Sequence, residues 1–179
     1  ALVMLGMHDK ESCEEIKKFS NSLGQYLPQI SSTLGDDKHM QAESYNRHWQ
    51  QPDYSTTCIV RGLPIEDSVD TNISLELLIN GFNSRSGLYF ANPYLVDWSL
   101  ALALENDNST QAMTTKTKLI NEILVSANKD GSYGNFDEFL STAFAAATLG
   151  VLGYKGKELR LAQIRLLNFL DQDTWAVNT

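Results

Sequence analysis

Four aromatic residues recur at nearly constant intervals along this chain of 179 residues. They are Trp49, Tyr89, Tyr133 and Trp175, at spacings of 40, 44 and 42 residues. A period of this length is typical of proteins built from stacked supersecondary units, each of which buries its apolar face against the next. The repeat therefore constrains the fold more strongly than any single motif does.

Each of the first three aromatic residues is followed by a segment of small, hydroxyl-bearing and apolar residues, and these segments are 54–63, 95–104 and 140–149. Because they are apolar nearly all round, we predict buried inner helices. More amphipathic segments predict outer helices at 12–23, 71–82, 114–127 and 157–170. Turns rich in Gly, Asn and Asp follow them, since these residues tolerate the backbone angles of tight reversals.

We expect these units to form a single domain spanning 1–179, with 25–51 as an inserted polar surface loop. In the last outer helix, an apolar face is predicted from Leu159, Ile164, Leu166, Leu167 and Leu170. Residues 1–5 read as the end of an earlier apolar helix, which indicates that the chain is a piece of a longer protein. Hydrophobic residues make up 42% and charged residues 20%, a globular balance.

The net charge of −8 argues against a nucleic-acid groove, which needs clustered Lys and Arg. No apolar run approaches the roughly 20 residues that cross a membrane, so no membrane span is expected. The cysteines, Cys13 and Cys58, are too few and too far apart for a disulfide framework. We therefore predict a cytoplasmic protein with reduced thiols.

The residues Asn128–Gly134, followed by Ser141–Ala143 and Thr148–Leu149, resemble the repeat of the squalene-cyclase and protein-prenyltransferase superfamily. Weaker copies lie at 81–104 and 52–63. The resemblance implies an all-α fold, an α/α toroid whose inner helices line a cavity that holds isoprenoid chains or their diphosphates. The chain carries fewer helix pairs than a complete toroid, so the resemblance implies a partial ring, or one that a second copy or a partner domain closes.

The cyclase pattern of that family is Asp-x-Asp-Asp/Thr. Protonating an alkene needs a carboxylic acid that stays protonated in a dry pocket. Ser68-Val69-Asp70-Thr71 matches the pattern except for its first residue, and the resemblance makes Asp70 a candidate catalytic acid. The alternative is that Ser68 or Asp70 caps an outer helix.

The prenyltransferase pattern is a zinc site of Asp, Cys and His on inner helices. Leu95-Val96-Asp97 is similar to its Asp-bearing stretch and makes Asp97 a second candidate catalytic residue, but Ser99 stands where the thiolate would be. His8, His39 and His48 all lie early in the chain. We expect no cofactor and no metal, with Mg²⁺ bound only if the substrate is a diphosphate. Alternatively, Asp97 caps its inner helix.

If the inner helices run parallel, their acidic residues gather at one rim, and these residues are Asp53, Asp97, Asp137 and Glu138. A cation or magnesium–diphosphate site is one interpretation. Repeated helix capping explains the same pattern without a ligand, and it is the interpretation we prefer.

The resemblance implies a terpenoid-cyclase-like or prenyltransferase-like domain related to isoprenoid cyclisation or isoprenoid binding, with an apolar isoprenoid-type ligand as its partner. Whether the chain is an enzyme stays open. The alternative is a non-catalytic binding or interaction module derived from the same fold. A thioester-containing or carbohydrate-active helical barrel is a third interpretation, but neither cysteine is followed by Glu-Gln and the chain has only three Trp.

Overall fold

In a computed structural model, the protein is helical throughout the part that the structure describes, which is residues 10–27, 51–63, 73–87, 91–135 and 137–171. Over these ranges the only strand-like feature is an isolated antiparallel bridge between Ser20 and Tyr26. The prediction of an all-α fold class is therefore confirmed. The helices of these ranges are α1 (Lys10–Lys17), α2 (Tyr54–Gly62), α3 (Leu75–Gly81), α4 (Pro93–Leu104), α5 (Thr110–Val125), α6 (Glu138–Val151) and α7 (Lys157–Asp171).

Helices α2 and α4 lie side by side and run in the same direction. The hydroxyl of Ser55, in the first turn of α2, lies 3.1 Å from that of Ser99 in the middle of α4. At the other end, Arg61 donates from Nε to the carbonyl of Ala103 at 3.2 Å. Later residues of α2 therefore contact later residues of α4, which shows that the two helices are parallel. The residues in these two contacts lie 44 and 42 positions apart in sequence.

Helix α6 continues this row on the far side of α4. Asn92 donates from its side-chain amide to the hydroxyl of Ser141 at 3.0 Å. Further along, the rings of Trp98 and Phe144 lie 5.7 Å apart. The same order of contacts shows that α4 and α6 are also parallel, so three parallel helices lie in the order α2–α4–α6.

The remaining described helices pack against this row. Helix α3 contacts α2 and α5, α5 contacts α4 and α6, and α7 packs on α6. The hydroxyl of Tyr54 on α2 donates to the carbonyl of Leu78 on α3 at 3.0 Å. Helix α5 buries one stripe of residues three or four positions apart, which is the pattern of a helix with one wet face. The stripe consists of Ala112, Thr115, Leu119 and Ile123.

Two turns of the same design are bonded to helices of the row. In each, Asn donates its backbone N–H to the carbonyl four residues later at 2.9 Å, in Asn21–Gln25 and in Asn128–Ser132. Gly24 and Gly131 occupy the same position with φ of 74° and 88°, which favours glycine. The buried residues Tyr26 and Tyr133 follow. Within the segment 25–51 predicted as a surface loop, Gln25 closes the first turn and Tyr26 is buried, while 28–50 lie outside the described residues.

The other predicted helices are present, but the one predicted over 12–23 ends at Lys17, and one predicted face is wrong. Helix α7 packs Leu159, Ala162 and Leu166 against the core, as a helix with one apolar stripe does. Ile164, Leu167 and Leu170, which we predicted to share that face, are 54%, 60% and 50% exposed. The prediction was wrong because the sequence carries apolar residues on two sides of α7, and only packing decides which side is buried. Trp49, Tyr89 and Trp175 lie outside the described residues.

Candidate functional site

A cavity of about 810 Å³ opens at the carboxyl ends of α2 and α4. We name it the C-terminal cavity. Its apolar wall combines Ile59 and Leu63 from the end of α2 with Trp98 and Leu102 from α4. Its mouth is polar and consists of Arg61, Glu105, Asn106, Asp107 and Asn108. Apolar and polar residues therefore share the lining about equally, and such a lining can accommodate a small amphiphilic molecule.

The close approach of α2 and α4 fixes the shape of this cavity. A Cβ atom on Gly62 would lie 2.8 Å from the carbonyl carbon of Leu102, so a larger residue would force the two helix ends apart. Trp98 joins the cavity to the next helix, since its ring also packs against Phe144 of α6. The apolar wall therefore depends on the row of parallel helices.

Arg61 has its guanidinium engaged at the mouth of the cavity. Its Nη2 donates to Asp107 at 3.1 Å, its Nη1 donates to the carbonyl of Ile73, and its Nε donates to that of Ala103. Hydrogen bonds from Ser109 and the nearby charge of Arg61 hold the pKa of Asp107 below its usual range. Asp107 is therefore a carboxylate at neutral pH.

Asp97, a candidate from the sequence, lies in a buried ion pair away from this cavity. Arg85 donates from Nε to Asp97 at 2.7 Å and from Nη2 to Glu122 of α5 at 2.6 Å. Burial raises the pKa of Asp97, against the opposing effects of the charge and hydrogen bond of Arg85. The prediction that Asp97 caps its helix is wrong, because Asn92 accepts the capping hydrogen bond from the N–H of Tyr94. Its role as a catalytic residue stays a prediction.

The other rim residues behave as helix caps or ion-pair partners. Asp53 accepts from the backbone N–H and the hydroxyl of Thr56, both at 2.7 Å. Asp137 accepts from the backbone N–H of Leu140 at 3.2 Å. Glu138 pairs with Arg165 of α7 at 2.6 Å. The capping interpretation is confirmed for Asp53 and Asp137, and among the described residues no three His, Cys, Asp or Glu side chains are grouped as metal ligands would be.

The second candidate, Asp70, lies outside the described residues. Helix α3 begins after Ser74, whose hydroxyl accepts from the N–H of Leu77 at 3.2 Å. Ser74 is therefore the cap of α3, and the prediction that Ser68 or Asp70 caps a helix falls outside the described residues. His8, His39 and His48 also lie outside the described residues.

A buried polar seam joins α2 to α4. Cys58 lies in it beside Tyr54 and Ser99, and burial raises the pKa of the Cys58 thiol to about 12, although hydrogen bonds with both neighbours oppose this. Burial, together with the neighbouring Cys58, also raises the pKa of Tyr54. Both groups are therefore neutral under physiological conditions, which suits a packed interface and not a nucleophile.

Sequence reasoning missed the residues at the mouth of the C-terminal cavity. Arg61 and Asp107 lie 46 residues apart and belong to no motif. The available signal was the repeat itself, since positions about one period apart meet between parallel helices. Applied to Arg61, that spacing would have placed it beside the end of the next inner helix.

Within the described ranges, every helix is too short or too polar to cross a membrane. No family model matches the chain, and neither a curated protein nor a solved structure does.

Proposed function

We propose that this chain is a segment of an α/α toroid-like helical repeat that binds an extended apolar ligand of isoprenoid type in the C-terminal cavity. The observation that carries the proposal is the apolar wall of Ile59, Trp98 and Leu102, which two parallel helices form together. The resemblance of the repeat to the cyclase and prenyltransferase superfamily supports the choice of ligand.

The dimensions of the cavity fit such a ligand. Small-molecule sites occupy roughly 300–1,000 Å³, and the C-terminal cavity has about 810 Å³. Trp98 presents the largest side chain of the wall, and aromatic rings contribute strongly to apolar binding. A flexible hydrocarbon chain can follow a wall built from several side chains, because its binding needs few directional contacts.

Binding is better supported than cyclisation. An alkene is protonated only by an acid that holds its proton at working pH. Asp107 at the cavity mouth is ionised, since its hydrogen bonds with Ser109 lower its pKa. Asp97 is engaged by Arg85 at 2.7 Å. A class II cyclase reaction, of isomerase or lyase type, remains the proposal for Asp70, with Mg²⁺ only for a diphosphate substrate.

The test of binding is calorimetric titration with farnesol of the wild-type chain and of Trp98→Ala. We expect micromolar binding that weakens at least about tenfold in the variant, because burying an aromatic side chain contributes on the order of 1.5–3 kcal/mol. The matched control is Ile164→Ala, an apolar truncation at an exposed position of α7. Circular dichroism verifies that both variants fold. Absence of farnesol binding to the wild-type chain overturns the proposal.

The cyclase alternative has its own test. The chain is incubated with squalene and with geranylgeranyl diphosphate, with and without Mg²⁺, and products are identified by mass spectrometry. A cyclised product that disappears in Asp70→Asn supports catalysis. Substrate recovered unchanged from a chain that binds farnesol supports the binding function alone.

A second candidate function is self-association through α7. Apolar side chains cluster on the exposed side of this helix, and contiguous exposed apolar patches mark interaction sites. They are Leu161, Ile164, Leu167 and Leu170. Sedimentation velocity of the wild-type chain and of Leu167→Glu tests this function, with Asn168→Glu as the matched control. A concentration-dependent dimer that only Leu167→Glu dissociates supports it, and a monomer at all concentrations excludes it.

A further inference from the structure

We infer that a second copy of this chain docks its helix α2 on the uncovered side of α6, so that copies associate head to tail. The surface on α6, which we name the trailing face, consists of Leu140, Ala143, Ala147 and Gly150. The surface on α2 and its C-cap, which we name the leading face, consists of Thr56, Ile59 and Leu63. The inference goes beyond the proposed function, since it depends neither on a ligand nor on α7.

Helices α2 and α6 occupy equivalent places in their units. Thr57 of α2 accepts a hydrogen bond from the backbone N–H of Tyr26, and Thr142 of α6 accepts one from the backbone N–H of Tyr133. Position 57 of α2 therefore corresponds to position 142 of α6. With this register, each residue of α2 has a counterpart on α6.

The side of α2 that corresponds to the trailing face packs closely on the next helix of the row. The hydroxyl of Ser55 lies 3.1 Å from that of Ser99 on α4. A Cβ atom on Gly62 would lie 2.8 Å from the carbonyl carbon of Leu102, so the two backbones meet at a small residue. This side of an inner helix is thus the side on which its successor docks.

The same side of α6 is apolar, small and open. Leu140 and Ala147 are the counterparts of Ser55 and Gly62, and Leu140 is 44% exposed. A Cβ atom on Gly150, one turn further along, would have no atom of another described element within 4 Å. The trailing face therefore has the shape that a fourth parallel helix needs, and none of the described helices covers it.

The leading face of α2 matches the side by which α6 docks on its predecessor. Ser141 and Phe144 contact side chains of α4, with a hydrogen bond of 3.0 Å and ring centroids 5.7 Å apart. Their counterparts on α2 are Thr56 and Ile59. Both are half-buried, as is Leu63, so each still has surface to bury against another helix.

Contact between these two faces would repeat the packing that already joins α2 to α4 and α4 to α6. Neither face contains a charged side chain, so burial of apolar surface favours the contact without the cost of desolvating a charge. Ile59 and Leu63 also line the C-terminal cavity, so a docked copy would cover one side of it. Such a contact joins different surfaces, and it closes into a ring or continues as a chain of copies.

The test is sedimentation velocity of the wild-type chain and of two variants, each of which blocks one face. Ala147→Glu blocks the trailing face, and Ile59→Glu blocks the leading face. We expect the wild type to associate in the micromolar range and each variant alone to associate at least about tenfold more weakly, because a carboxylate would be buried in every contact. An equimolar mixture of the variants should form a dimer, since one chain keeps an intact trailing face and the other an intact leading face.

The matched control is Val125→Glu, which changes an apolar residue of α5 that is 88% exposed and belongs to neither face. It should associate as the wild type does. Circular dichroism verifies that all variants fold, and Gly150→Glu, at a position with open space, blocks the trailing face if Ala147→Glu does not fold.

Three results would overturn the inference. They are a wild-type chain that stays monomeric, association that survives both variants, and loss of association that the mixture does not restore, since such a contact would be symmetric. Leu167→Glu leaves both faces intact and should preserve head-to-tail association, so assembly that only Leu167→Glu dissociates belongs to α7 and also overturns the inference. Absence of farnesol binding concerns the proposed function alone.

Discussion

Tyr133 donates its backbone N–H to the side-chain hydroxyl of Thr142 at 3.0 Å, across the junction between a turn and an inner helix. The same relationship recurs between Tyr26 and Thr57 at 2.9 Å. In both places a buried tyrosine follows a glycine turn and is tied to a helix of the row, α6 for Tyr133 and α2 for Tyr26. These hydrogen bonds anchor both turns to the row of parallel helices.

Replacing Thr142 by Val should lower the free energy of unfolding by about 1–3 kcal/mol, because a buried N–H loses its acceptor while the shape is nearly kept. Thr142→Ser keeps the hydroxyl and should cost less. Urea denaturation measures both. The control is Thr117→Val on the exposed side of α5, and equal effects at positions 142 and 117 would contradict the assigned role.

Gly131→Ala should destabilise the protein by more than about 2 kcal/mol, because φ is 88° there and a Cβ atom would lie 2.6 Å from the carbonyl carbon of Leu161. Gly153 is a matched control with φ of 75° and open space around its Cβ position. Gly153→Ala should therefore cost only the backbone strain, about 1 kcal/mol. Thermal denaturation compares the two, and a larger loss at Gly153 would refute the packing of this turn on α7.

The buried pair of Arg85 and Asp97 should show strong coupling in a double-mutant cycle of Arg85→Met and Asp97→Asn. We expect a coupling energy of about 1–3 kcal/mol, since removal of Arg85 leaves the buried carboxyl of Asp97 without its cation, whereas Arg85 keeps Glu122 when Asp97 is replaced. The exposed pair of Lys18 and Glu15 is the comparison and should show little coupling. Urea denaturation of the four proteins of each cycle supplies the energies, and equal coupling in the two cycles would contradict the structure.

Cys58 should resist thiol-specific reagents in the folded protein. With a pKa of about 12, only about one molecule in ten thousand carries the thiolate at pH 8. In a Cys13→Ser background, a chromogenic disulfide reagent should titrate one thiol after denaturation and almost none before. Rapid reaction of the native protein at pH 8 would show that Cys58 is not buried as the structure places it.

The same thiol should make stability depend on alkaline pH. The pKa of Cys58 is raised from 9.0 to about 12 on folding. The stability that the neutral thiol contributes is therefore fully present below pH 9 and is lost as the pH rises toward 12. The free energy of unfolding should fall by up to about 1.4 kcal/mol per pH unit in that window. Tyr54 acts in the same direction, so the difference between wild type and Cys58→Ala isolates the thiol. Identical pH profiles for the two proteins would be the contrary result.

The outer helix α5 illustrates how much of the fold the sequence could predict. Its apolar residues recur every three or four positions, and the structure buries the stripe that includes Leu119 and Ile123. The start of α5 was predicted four residues too late. Ser109 caps the helix by accepting a hydrogen bond from the N–H of Ala112, and hydrophobic periodicity does not reveal such a cap. Element type was therefore predictable and element boundaries were less so.

The candidate site was less predictable. Asp97 attracted attention through its resemblance to a family motif, yet its carboxylate lies against Arg85, a residue that no pattern singled out. The C-terminal cavity depends on Gly62 lying close to Leu102, a contact between helices forty residues apart. Only the angle and separation of α2 and α4 create that space.

By itself, the sequence determined the helical class, the period of the units and the glycine turns, because hydrophobic spacing and backbone preference act over a few residues. Tertiary structure decided which side of α7 is buried, which carboxylates are neutralised and where a cavity opens. Those outcomes depend on which side chains meet across parallel helices, and the free energy of burying a charge or an apolar surface exists only once those neighbours are in place.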